Sequence, residues 1–575
     1  MRLTDLSLAF ALASIPASAF FSPPASSSKD DSNTTSGAAD LSDGKDIEPR
    51  QPLLDAKDWF LTKEELTGSR GGIPRDDMSV YTTGNKVTSY TVTNEVYNAV
   101  FDELSATTVG DRVLLAAWSL ALVPLKPDVD PKGNTTGIKE VFAGVVKRGG
   151  SVNILNWATI ASRYTSYNLK ARDAINSIPP SPINGAKAVL IFDDRYPRPF
   201  MSHHQKNMVI AVNSSTDPDE QPVAYVGGVE FTNDRWDTIS HNNSEIREAA
   251  KLNHLSEGWV DGHLRIHGPA AKDVANNFVA RWNSDYLPCD HIDDRLRDFR
   301  NPKYEHIFPL DYVSSNTTGS LGSKSVQITR TYSCFYEHYE FAPRGETSLF
   351  WARIKAIKNA KNFIYVEDQY FILVPELLDA IMQVMPTIQR LVVITSPQAS
   401  FMDYAGYSKY LYKSVEPIRS KYPNKFTIYT TKAKRNIAIH SKLVIIDDVY
   451  LSIGSANWNR RSMTSDSEVN ANVVDTDTVM APEGVYVGKM PRDFRIRKFH
   501  EMTGLSYEKL DAMTFVEASD QLAFAVANVS SILDINKIVH KAFFFTITDK
   551  MRKMSDPQDT CKYNGDKKVF ERVTE

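Results

Sequence analysis

The chain has 575 residues, of which 42% are apolar and 24% charged, with a formal net charge of −4. This length allows two or more domain-sized cores, and the composition is that of a large globular protein rather than a disordered one. The near-neutral balance excludes a global basic field that would draw in nucleic acid, although a local basic cleft stays compatible with it.

Residues 1–19 have the pattern of a secretory signal peptide. Arg2 precedes a short apolar run over 6–15, and Ala17 and Ala19 stand in an A-x-A frame, so we expect cleavage near Ala19 and a secreted, extracellular protein. The apolar run is too short to span a bilayer. Residues 20–75 begin as a polar, low-complexity stretch and are predicted to form a linker.

The rest of the chain reads as two similar halves, at 76–310 and at 325–575 with a C-terminal extension. In the first half, DRVLLAAW, SVNILNWA and KAVLIFDD predict buried strands, and GIKEVFAGVVKRG predicts a helix that ends at glycine. In the second half, NFIYVED, RLVVITSP and KFTIYTT predict strands and VPELLDAIMQVMP an amphipathic helix. This alternation predicts α/β sandwich lobes with largely parallel strands, separated in the polar stretch from Asn301 to Lys324.

Each half contains one H-x-K triplet that leads into an apolar run: His204-Gln205-Lys206 and His440-Ser441-Lys442. In an extended chain, alternate side chains share a face, so each histidine and its lysine are expected to line one cleft. The adjacent His203 is expected to point to the opposite face and to pack there.

Two imidazoles and two ammonium groups suit the cleavage of a phosphodiester. One imidazole attacks phosphorus, the second protonates the departing alcohol, and the ammonium groups hold the phosphoryl oxygens. The duplicated triplets therefore predict one composite active site.

The residues that follow the triplets also repeat. Gly227 and Gly228 follow the first, and Gly454, Ser455 and Asn457 follow the second. This pattern resembles the phospholipase D superfamily, whose signature is H-x-K-x4-D followed by G-S-x-N or a G-G variant. The second copy fits throughout, including Asp447, whereas the first has Ala211 at the aspartate position.

The resemblance extends over most of the chain from about residue 80, and GGVEFTNDRWD and IYVEDQYFI are closest to the eukaryotic lipid-cleaving branch. It implies two pseudo-symmetric α/β/α lobes that form one shared active site. It also implies His204 as the nucleophile that forms a phosphohistidine, and His440 as the acid. The residues by themselves leave open which histidine attacks.

The same resemblance implies roles for further residues. Asp237 would orient His204, and Glu468, with Asp466 as an alternative, would orient His440. The groups expected to stabilise the transition state are Lys206, Lys442 and Asn457. The residues expected to contact the substrate are Gly228, Ser455, Glu367 and Gln369.

Three functions fit these motifs. The first is a phospholipase D that acts at a phospholipid membrane surface and releases a head-group alcohol, with transfer to an added alcohol as a side reaction. The second is a lumenal or secreted nuclease that acts on single-stranded nucleic acid. The third is a non-catalytic relative, which the presence of all four motif residues disfavours. The near-neutral charge and the motif context favour phospholipids.

No cofactor is expected, since the histidine mechanism needs none. None of the three cysteines, Cys289, Cys334 and Cys561, lies beside a histidine at a zinc-ligand spacing, so no metal site is predicted. At most one intrachain disulfide bond can form. Six N-x-S/T sequons are compatible with the secretory route, at Asn33, Asn134, Asn213, Asn242, Asn316 and Asn528.

Overall fold

The computed structural model describes residues 39–159, 162–196, 201–211, 222–252, 255–289, 298–310, 321–334, 339–396 and 407–524, together with the backbone of 533–535, 561–564 and 569–572. The predicted signal peptide and the sequons at Asn33, Asn213, Asn316 and Asn528 lie outside these ranges.

From residue 39 onward the segment before the first strand is folded, whereas a linker was predicted over 20–75. It forms a 3-10 turn (Gly44–Asp46) and two short helices, α1 (Ala56–Trp59) and α2 (Lys63–Ser69). Trp59 is fully buried in the apolar core of the second lobe and stacks on Tyr450 at 5.5 Å. Residues from about 39 therefore belong to the globular body, because the apolar side chains of α1 have a core to pack against.

The first lobe contains eight strands and five helices among the described residues. In chain order they are β1 (Thr82–Tyr90), α3 (Thr93–Ala106), β2 (Arg112–Ala117), α4 (Ile138–Lys147), β3 (Ser151–Trp157), α5 (Ser162–Asn176), β4 (Ala188–Asp193), β5 (Asn207–Ala211), β6 (Val223–Gly227), α6 (Ser244–Ala249), β7 (Gly258–Val260), β8 (His263–His267) and α7 (Ala270–Trp282).

The second lobe repeats this order. Its elements are β9 (Lys324–Thr331), α8 (Ser348–Asn359), β10 (Phe363–Asp368), α9 (Pro375–Val384), β11 (Arg390–Thr395), α10 (Tyr407–Lys421), β12 (Phe426–Thr431), β13 (Ile437–Ile439), β14 (Lys442–Ile446), β15 (Tyr450–Gly454), α11 (Arg460–Thr464), β16 (Glu468–Asp475), β17 (Thr478–Met480), β18 (Tyr486–Gly488) and α12 (Lys489–Thr503). Three C-terminal strands and two helices follow: α13 (Tyr507–Asp511), α14 (Phe515–Phe524), β19 (Leu533–Ile535), β20 (Cys561–Asn564) and β21 (Val569–Arg572).

The strand order makes the internal repeat explicit. The main sheet runs β19-β12-β11-β10-β14-β15-β16-β9-β1-β8-β6-β5-β2-β3-β4. From the central β9 and β1 outward, the two halves contain equivalent strands in the same sequence, and β1 pairs with β9 in antiparallel orientation. The two pseudo-symmetric lobes predicted from the sequence are confirmed.

The expectation of largely parallel strands is wrong. Only β2, β3 and β4, and in the second lobe β10, β11 and β12, run parallel to their neighbours in the main sheet. Each motif strand, β5 and β14, pairs antiparallel with the first strand of its parallel trio. All of these strands are buried on both faces, so their continuous Val, Ile and Leu runs do not reveal strand direction.

Three apolar cores hold the lobes together. One lies under the outer helices of each lobe, and the third lies between the lobes and contains residues of β5, β6, β8, β14, β15 and β16 with the inner faces of α7 and α12. Each half-sheet is thus covered by outer helices on one face and by α7 or α12 on the other, which is the predicted α/β/α layering. Within the described ranges, no helix is both long and apolar enough to cross a lipid bilayer.

Candidate active site

Both H-x-K triplets sit where the chain enters a motif strand. His204 lies just before β5, and His440 lies between the short strand β13 and β14. The two imidazoles are 7% and 5% exposed, and both lysines are buried. The triplets are therefore part of an enclosed site rather than of a solvent-exposed strand edge.

His204 is held by a carboxylate of the second lobe. Its Nδ1 lies 2.9 Å from Oε1 and 3.0 Å from Oε2 of Glu468. The hydroxyls of Ser455 and Ser462 donate to the same carboxylate at 2.5 and 2.7 Å. These contacts fix the imidazole so that Nδ1 carries the proton and Nε2 faces the cleft with a free electron pair.

His440 is held by a carboxylate of the first lobe. Its Nδ1 lies 2.8 Å from Oδ2 of Asp261, which also accepts a hydrogen bond from Trp259 Nε1 at 3.3 Å. The backbone N–H of Gly262 donates to Oδ1 of Asp261 at 2.9 Å. The indole of Trp259 packs on the imidazole, with ring centroids 4.9 Å apart.

Backbone hydrogen bonds between the lobes bring each histidine beside a carboxylate of the other lobe. The three-residue strands β7 and β13 run parallel, and His440 N donates to Val260 O at 2.8 Å, which brings the next residue, Asp261, beside the ring. In the other lobe, His204 N donates to Ser467 O at 3.0 Å, which places Glu468 in the same way. Each histidine is thus bonded to the residue that precedes its carboxylate.

Asp261 and Glu468 are equivalent by strand register. In the pairing of β6 with β8, Gly227 is opposite His263, and in the pairing of β15 with β16, Gly454 is opposite Asn470. Each carboxylate lies two residues before that partner. Sequence reasoning missed Asp261 because it follows Gly227 by 34 positions, whereas Glu468 follows Gly454 by 14. The available signal was an acidic residue two positions before the apolar alternation of β8.

The predicted pairing of Asp237 with His204 and of Glu468 with His440 is wrong. Asp237 is fully buried away from both rings and accepts hydrogen bonds from His241 Nδ1 at 2.6 Å, Trp259 N at 2.7 Å and Asn243 Nδ2 at 2.8 Å. Asp237 therefore anchors the loop that leads to β7. The alternative, Asp466, accepts from Ser202 N and from Arg461, at 2.8 Å in both cases.

The glycine–serine difference between the motifs follows from the two carboxylates. A Cβ atom on Gly228 would lie 2.1 Å from Oδ1 of Asp261, so only glycine leaves room for that side chain. At the equivalent position, Ser455 donates its hydroxyl to the longer Glu468. Both residues were predicted to contact the substrate; in the structure Gly228 leaves room for one carboxylate and Ser455 holds the other.

The predicted role of Glu367 in substrate contact is also wrong. It is fully buried and accepts from Ser441 Oγ at 2.5 Å, and it pairs with Lys498 at 2.9 Å. Its neighbour on the opposite strand face, Asp368, accepts from the backbone N–H groups of Tyr370 and Trp458. Gln369 is half-buried, and its backbone N–H donates to Ser441 O at 3.1 Å.

Lys206, Lys442 and Asn457, which were predicted to stabilise the transition state, are all buried. Lys206 Nζ donates to His204 O at 2.9 Å and lies 3.7 Å from Glu230, and Lys442 Nζ donates to His440 O. Asn457 is buried, and its Oδ1 has no hydrogen-bond partner in the part of the chain that the structure describes.

The two triplets act on one another electrostatically. Burial and the lysine of the same triplet lower the pKa of each histidine most; Lys206 and His204 also lower the pKa of His440, and Lys442 also lowers the pKa of His204. Because such effects fall off with distance, the two halves contribute to one site. His203 points away from it, with Nδ1 3.0 Å from Ser467 Oγ, as expected.

The aspartate missing from the first motif has a structural role in the second. Asp447 accepts from the backbone N–H groups of Lys361, Asn362 and Phe363, at 2.6 to 2.8 Å, at the start of β10. Ala211 is buried at the end of β5, and there Asp111 accepts instead from Thr108 N at 2.7 Å. The departure at Ala211 thus affects a turn rather than the active site.

Burial sets the protonation of the site. Burial, followed by the nearby lysine, holds the pKa of His204 and of His440 well below the ordinary value, so both rings are neutral. Burial raises the pKa of Glu468 and of Asp261 to about 7, although Lys206 and Lys442 act against it. Burial also lowers the pKa of Lys442 to about 8.

Each imidazole–carboxylate pair can therefore gain or lose a proton close to neutral pH. A pair without the extra proton presents an unprotonated Nε2, which is a nucleophile. A pair with the extra proton can deliver it to a leaving group. One pair in each state, with the ammonium groups of Lys206 and Lys442 close to the histidines, can carry out a displacement at phosphorus.

Aromatic rings line the first-lobe side of the site. Trp118 stacks on Trp157 at 5.1 Å and meets Tyr164 edge-on at 4.6 Å. The same indole lies 6.3 Å from the ring of His204. Within the described ranges, no group of three or more His, Cys, Asp or Glu side chains is arranged to hold a metal ion.

Comparison with known proteins identifies similar sequences. Residues 183–378 match the family model described as Phospholipase D, and residues 354–483 match the one described as Cardiolipin synthase, PLD-like domain. The two matches each contain one H-x-K triplet, at His204 and at His440.

Characterised relatives align at low identity. Phospholipase D A of Dictyostelium discoideum is 25% identical over an alignment 376 residues long, and the match covers 53% of this chain and 27% of that protein. Phospholipase D beta 2 of Arabidopsis thaliana is 30% identical over 206 residues, or 30% of this chain and 22% of that protein. The matched regions thus span about a quarter of the length of these relatives. The crystal structure of phosphatidylserine synthase from Haemophilus influenzae Rd KW20 aligns with a TM-score of 0.47 at 12% identity, over 77% of this chain and 90% of that one.

Proposed function

Because this chain belongs to the phospholipase D superfamily of phosphodiesterases, we propose that it is a secreted phospholipase D. It hydrolyses the distal phosphodiester bond of glycerophospholipids such as phosphatidylcholine, and releases phosphatidic acid and the head-group alcohol. The observation that carries the proposal is the pair of neutral imidazoles, each bonded through Nδ1 to a buried carboxylate of the other lobe.

The reaction proceeds in two displacements. His204 Nε2 attacks phosphorus and forms a P–N bond while the P–O bond to the head group breaks, and the His440–Asp261 pair donates its proton to that oxygen. Water then gives a proton back to His440 and attacks phosphorus, which breaks the P–N bond and frees His204. An added alcohol can replace water in this step. Lys206, Lys442 and Asn457 stabilise the negative charge on the phosphoryl oxygens.

The lining of the site favours a lipid over a polynucleotide. The aromatic wall formed by Trp118, Trp157 and Tyr164 offers ring faces to a quaternary ammonium head group or to acyl chains.

Two features support a secreted protein, besides the leader. Cys334 takes part in a disulfide bond, which is typical of proteins matured in an oxidising compartment. The sequon residues Asn134 and Asn242, which fall within the described ranges, are both exposed.

One assay tests the proposal. The purified protein is offered phosphatidylcholine vesicles with ethanol and, separately, single-stranded DNA. We expect phosphatidylethanol and choline from the wild type, and loss of both products in His204→Ala and in His440→Ala. His500→Ala, which removes a half-buried imidazole outside the site, serves as the matched control and is expected to keep the activity.

The outcomes separate the candidate functions. DNA cleavage with inert lipid would establish the nuclease instead. Activity that persists in both alanine variants would rule out the site, and absence of both activities in a folded, secreted wild type would rule out the enzyme.

A further inference from the structure

The two equivalent helices α7 and α12 each send one buried polar side chain toward an H-x-K triplet. On α7 this residue is Asn277, and on α12 it is Lys498; neither is solvent-exposed. The two residues stand at similar places in the lobes but differ in charge. This difference makes the supports of the two histidines chemically distinct.

Apart from a long hydrogen bond from Arg330 Nη1 to Asn277 Oδ1 at 3.4 Å, the support of the His204 pair consists of neutral groups. Asn277 Nδ2 donates to the side-chain oxygen of Gln205, the central residue of the triplet, at 2.8 Å. Tyr332 Oη donates to Asn277 and accepts from Gln205 Nε2. Gln205 Nε2 also reaches the backbone oxygen of Glu468 at 3.4 Å. Amide and hydroxyl groups thus connect the triplet to its carboxylate residue.

The support of the His440 pair is ionic. Lys498 Nζ donates to the backbone oxygen of Asp261 at 3.2 Å and pairs with Glu367 at 2.9 Å. Glu367 in turn accepts from the hydroxyl of Ser441, the central residue of the second triplet. The ammonium group of Lys498 therefore contacts the backbone of Asp261 directly and reaches Ser441, the residue after His440, through Glu367. In the other lobe, Gln205 makes the equivalent connection.

The ionic chain continues beyond the lysine. Lys498 pairs with Glu501 at 2.6 Å, Glu501 lies 3.3 Å from His241 Nε2, and His241 Nδ1 pairs with Asp237 at 2.6 Å. Asp237 accepts from the N–H of Trp259, whose ring packs on His440. Both ends of the chain thus reach the His440 pair.

Charges along the chain alternate. Although burial opposes it, Asp237 and Glu501 raise the pKa of His241 to about 9, so this imidazole is cationic at neutral pH. The residues of the chain are at most 4% exposed. Such an arrangement holds its members in one geometry, because the loss of any member leaves a buried charge uncompensated.

We infer that Lys498 is a positioning residue for the His440–Asp261 pair: it holds the imidazole and its carboxylate in register for proton transfer to and from the leaving oxygen. The inference rests on the proposed function, in which His440 is the acid and His204 the nucleophile. It also accounts for Glu367 and Asp237, which the sequence pointed to and which do not face the cleft.

The test uses two substrates that differ in their need for an acid. Choline leaves phosphorus only when its oxygen is protonated, whereas p-nitrophenol leaves without a proton. In single turnover, Lys498→Met is expected to slow choline release about 10- to 100-fold. The burst of p-nitrophenol from phosphatidyl-p-nitrophenol is expected to stay within about twofold of the wild type.

Arg495→Met is the matched control. Arg495 is a buried cation on the same helix and pairs with Asp448 at 2.7 and 2.8 Å, away from the triplets. This variant also leaves a buried carboxylate without its partner, and is expected to keep the wild-type ratio of the two rates. Asn277→Leu, which perturbs the His204 support, is expected to slow both substrates equally.

A second variant guards against misfolding. Lys498→Met combined with Glu367→Gln and Glu501→Gln leaves neither glutamate charge uncompensated, and it is expected to show the same selective loss on choline. An unchanged ratio in either folded variant overturns the inference while the wild type still makes phosphatidylethanol. Failure of the wild type itself on both lipids instead overturns the proposed function.

Discussion

Asp261 of the first lobe lies 2.8 Å from His440 of the second, so each half of the chain supplies a carboxylate to the histidine of the other half. Glu468 and His204 form the reciprocal contact. Neither pair is local in sequence or confined to one lobe. Both depend on backbone hydrogen bonds from each histidine to the residue before its carboxylate.

The contacts of Asp261 with His440 and of Glu468 with His204 predict that these two carboxylates determine kcat. Asp261→Asn and Glu468→Gln replace an acceptor of the Nδ1 proton by an amide, which favours the wrong tautomer. We expect kcat to fall by about 10²- to 10⁴-fold in each, with little change in thermal stability. Phosphatidylethanol formation at saturating lipid measures the effect.

Asp237→Asn is the comparison for that experiment. It leaves the buried, cationic His241 without its closest partner, so the free energy of unfolding should fall by about 3–5 kcal/mol. At a temperature where the variant is folded, kcat should be lowered less than in Asp261→Asn. A larger loss of kcat in Asp237→Asn than in Asp261→Asn would show that Asp237, and not Asp261, supports the histidine.

Gly228 is predicted to tolerate no side chain. In Gly228→Ala the new methyl group would occupy the space of Asp261 Oδ1 and push the carboxylate away from His440. A displacement of this kind should lower kcat by about 10- to 100-fold. Gly68→Ala, where a Cβ atom meets nothing within 4 Å, should leave kcat unchanged.

The activity should have a maximum close to neutral pH. Below about pH 7 the His204–Glu468 pair gains a proton and loses its nucleophile, because the pKa of Glu468 is raised to about 7. Above about pH 8, Lys442 loses its charge and the His440–Asp261 pair has already lost the proton that it must donate. The pH profile of kcat/KM reports these groups in the free enzyme.

Lys442→Arg distinguishes the two causes of the alkaline limb. Arginine stays protonated, so the limb should move to higher pH if Lys442 sets it. A limb that stays in place assigns it to the His440–Asp261 pair. A profile that is flat between pH 6 and 9 would contradict both assignments.

Asp447 is predicted to contribute to stability and not to catalysis. Asp447→Ala removes the acceptor of three backbone N–H groups at the start of β10, and each orphaned group costs about 1–3 kcal/mol. We expect a clear drop in melting temperature with kcat nearly unchanged at 20 °C. A loss of kcat in the folded variant would show that the turn also positions the triplet.

Much of the fold and the position of both triplets could be predicted from the sequence. The strands around both triplets, the α/β lobes and the duplicated H-x-K frame all appear as local patterns of apolar residues and spacing. The layering also follows, because continuous apolar strands need cover on both faces.

The carboxylate assignments could not be predicted because they depend on contacts between distant segments. Asp237 and Asp261 both follow the first triplet, and only the pairing of β7 with β13 selects Asp261. The choice between Glu367 and Asp368 depends on strand register, since a shift of one residue moves a side chain to the other face. Neither the pairing of β7 with β13 nor the strand register can be derived from composition or motif spacing.

The pairing of β7 with β13 also restricts how the sequence of this protein can change. An insertion or deletion that adjusts the segment before Asp261 is felt first by an imidazole encoded about 180 codons further along, at His440. A mutation that shifts the carboxylate in one repeat would therefore misalign the histidine in the other, unmutated repeat. Where the lobes meet, the sequences of the two halves are therefore expected to change together, whereas their outer helices can change independently.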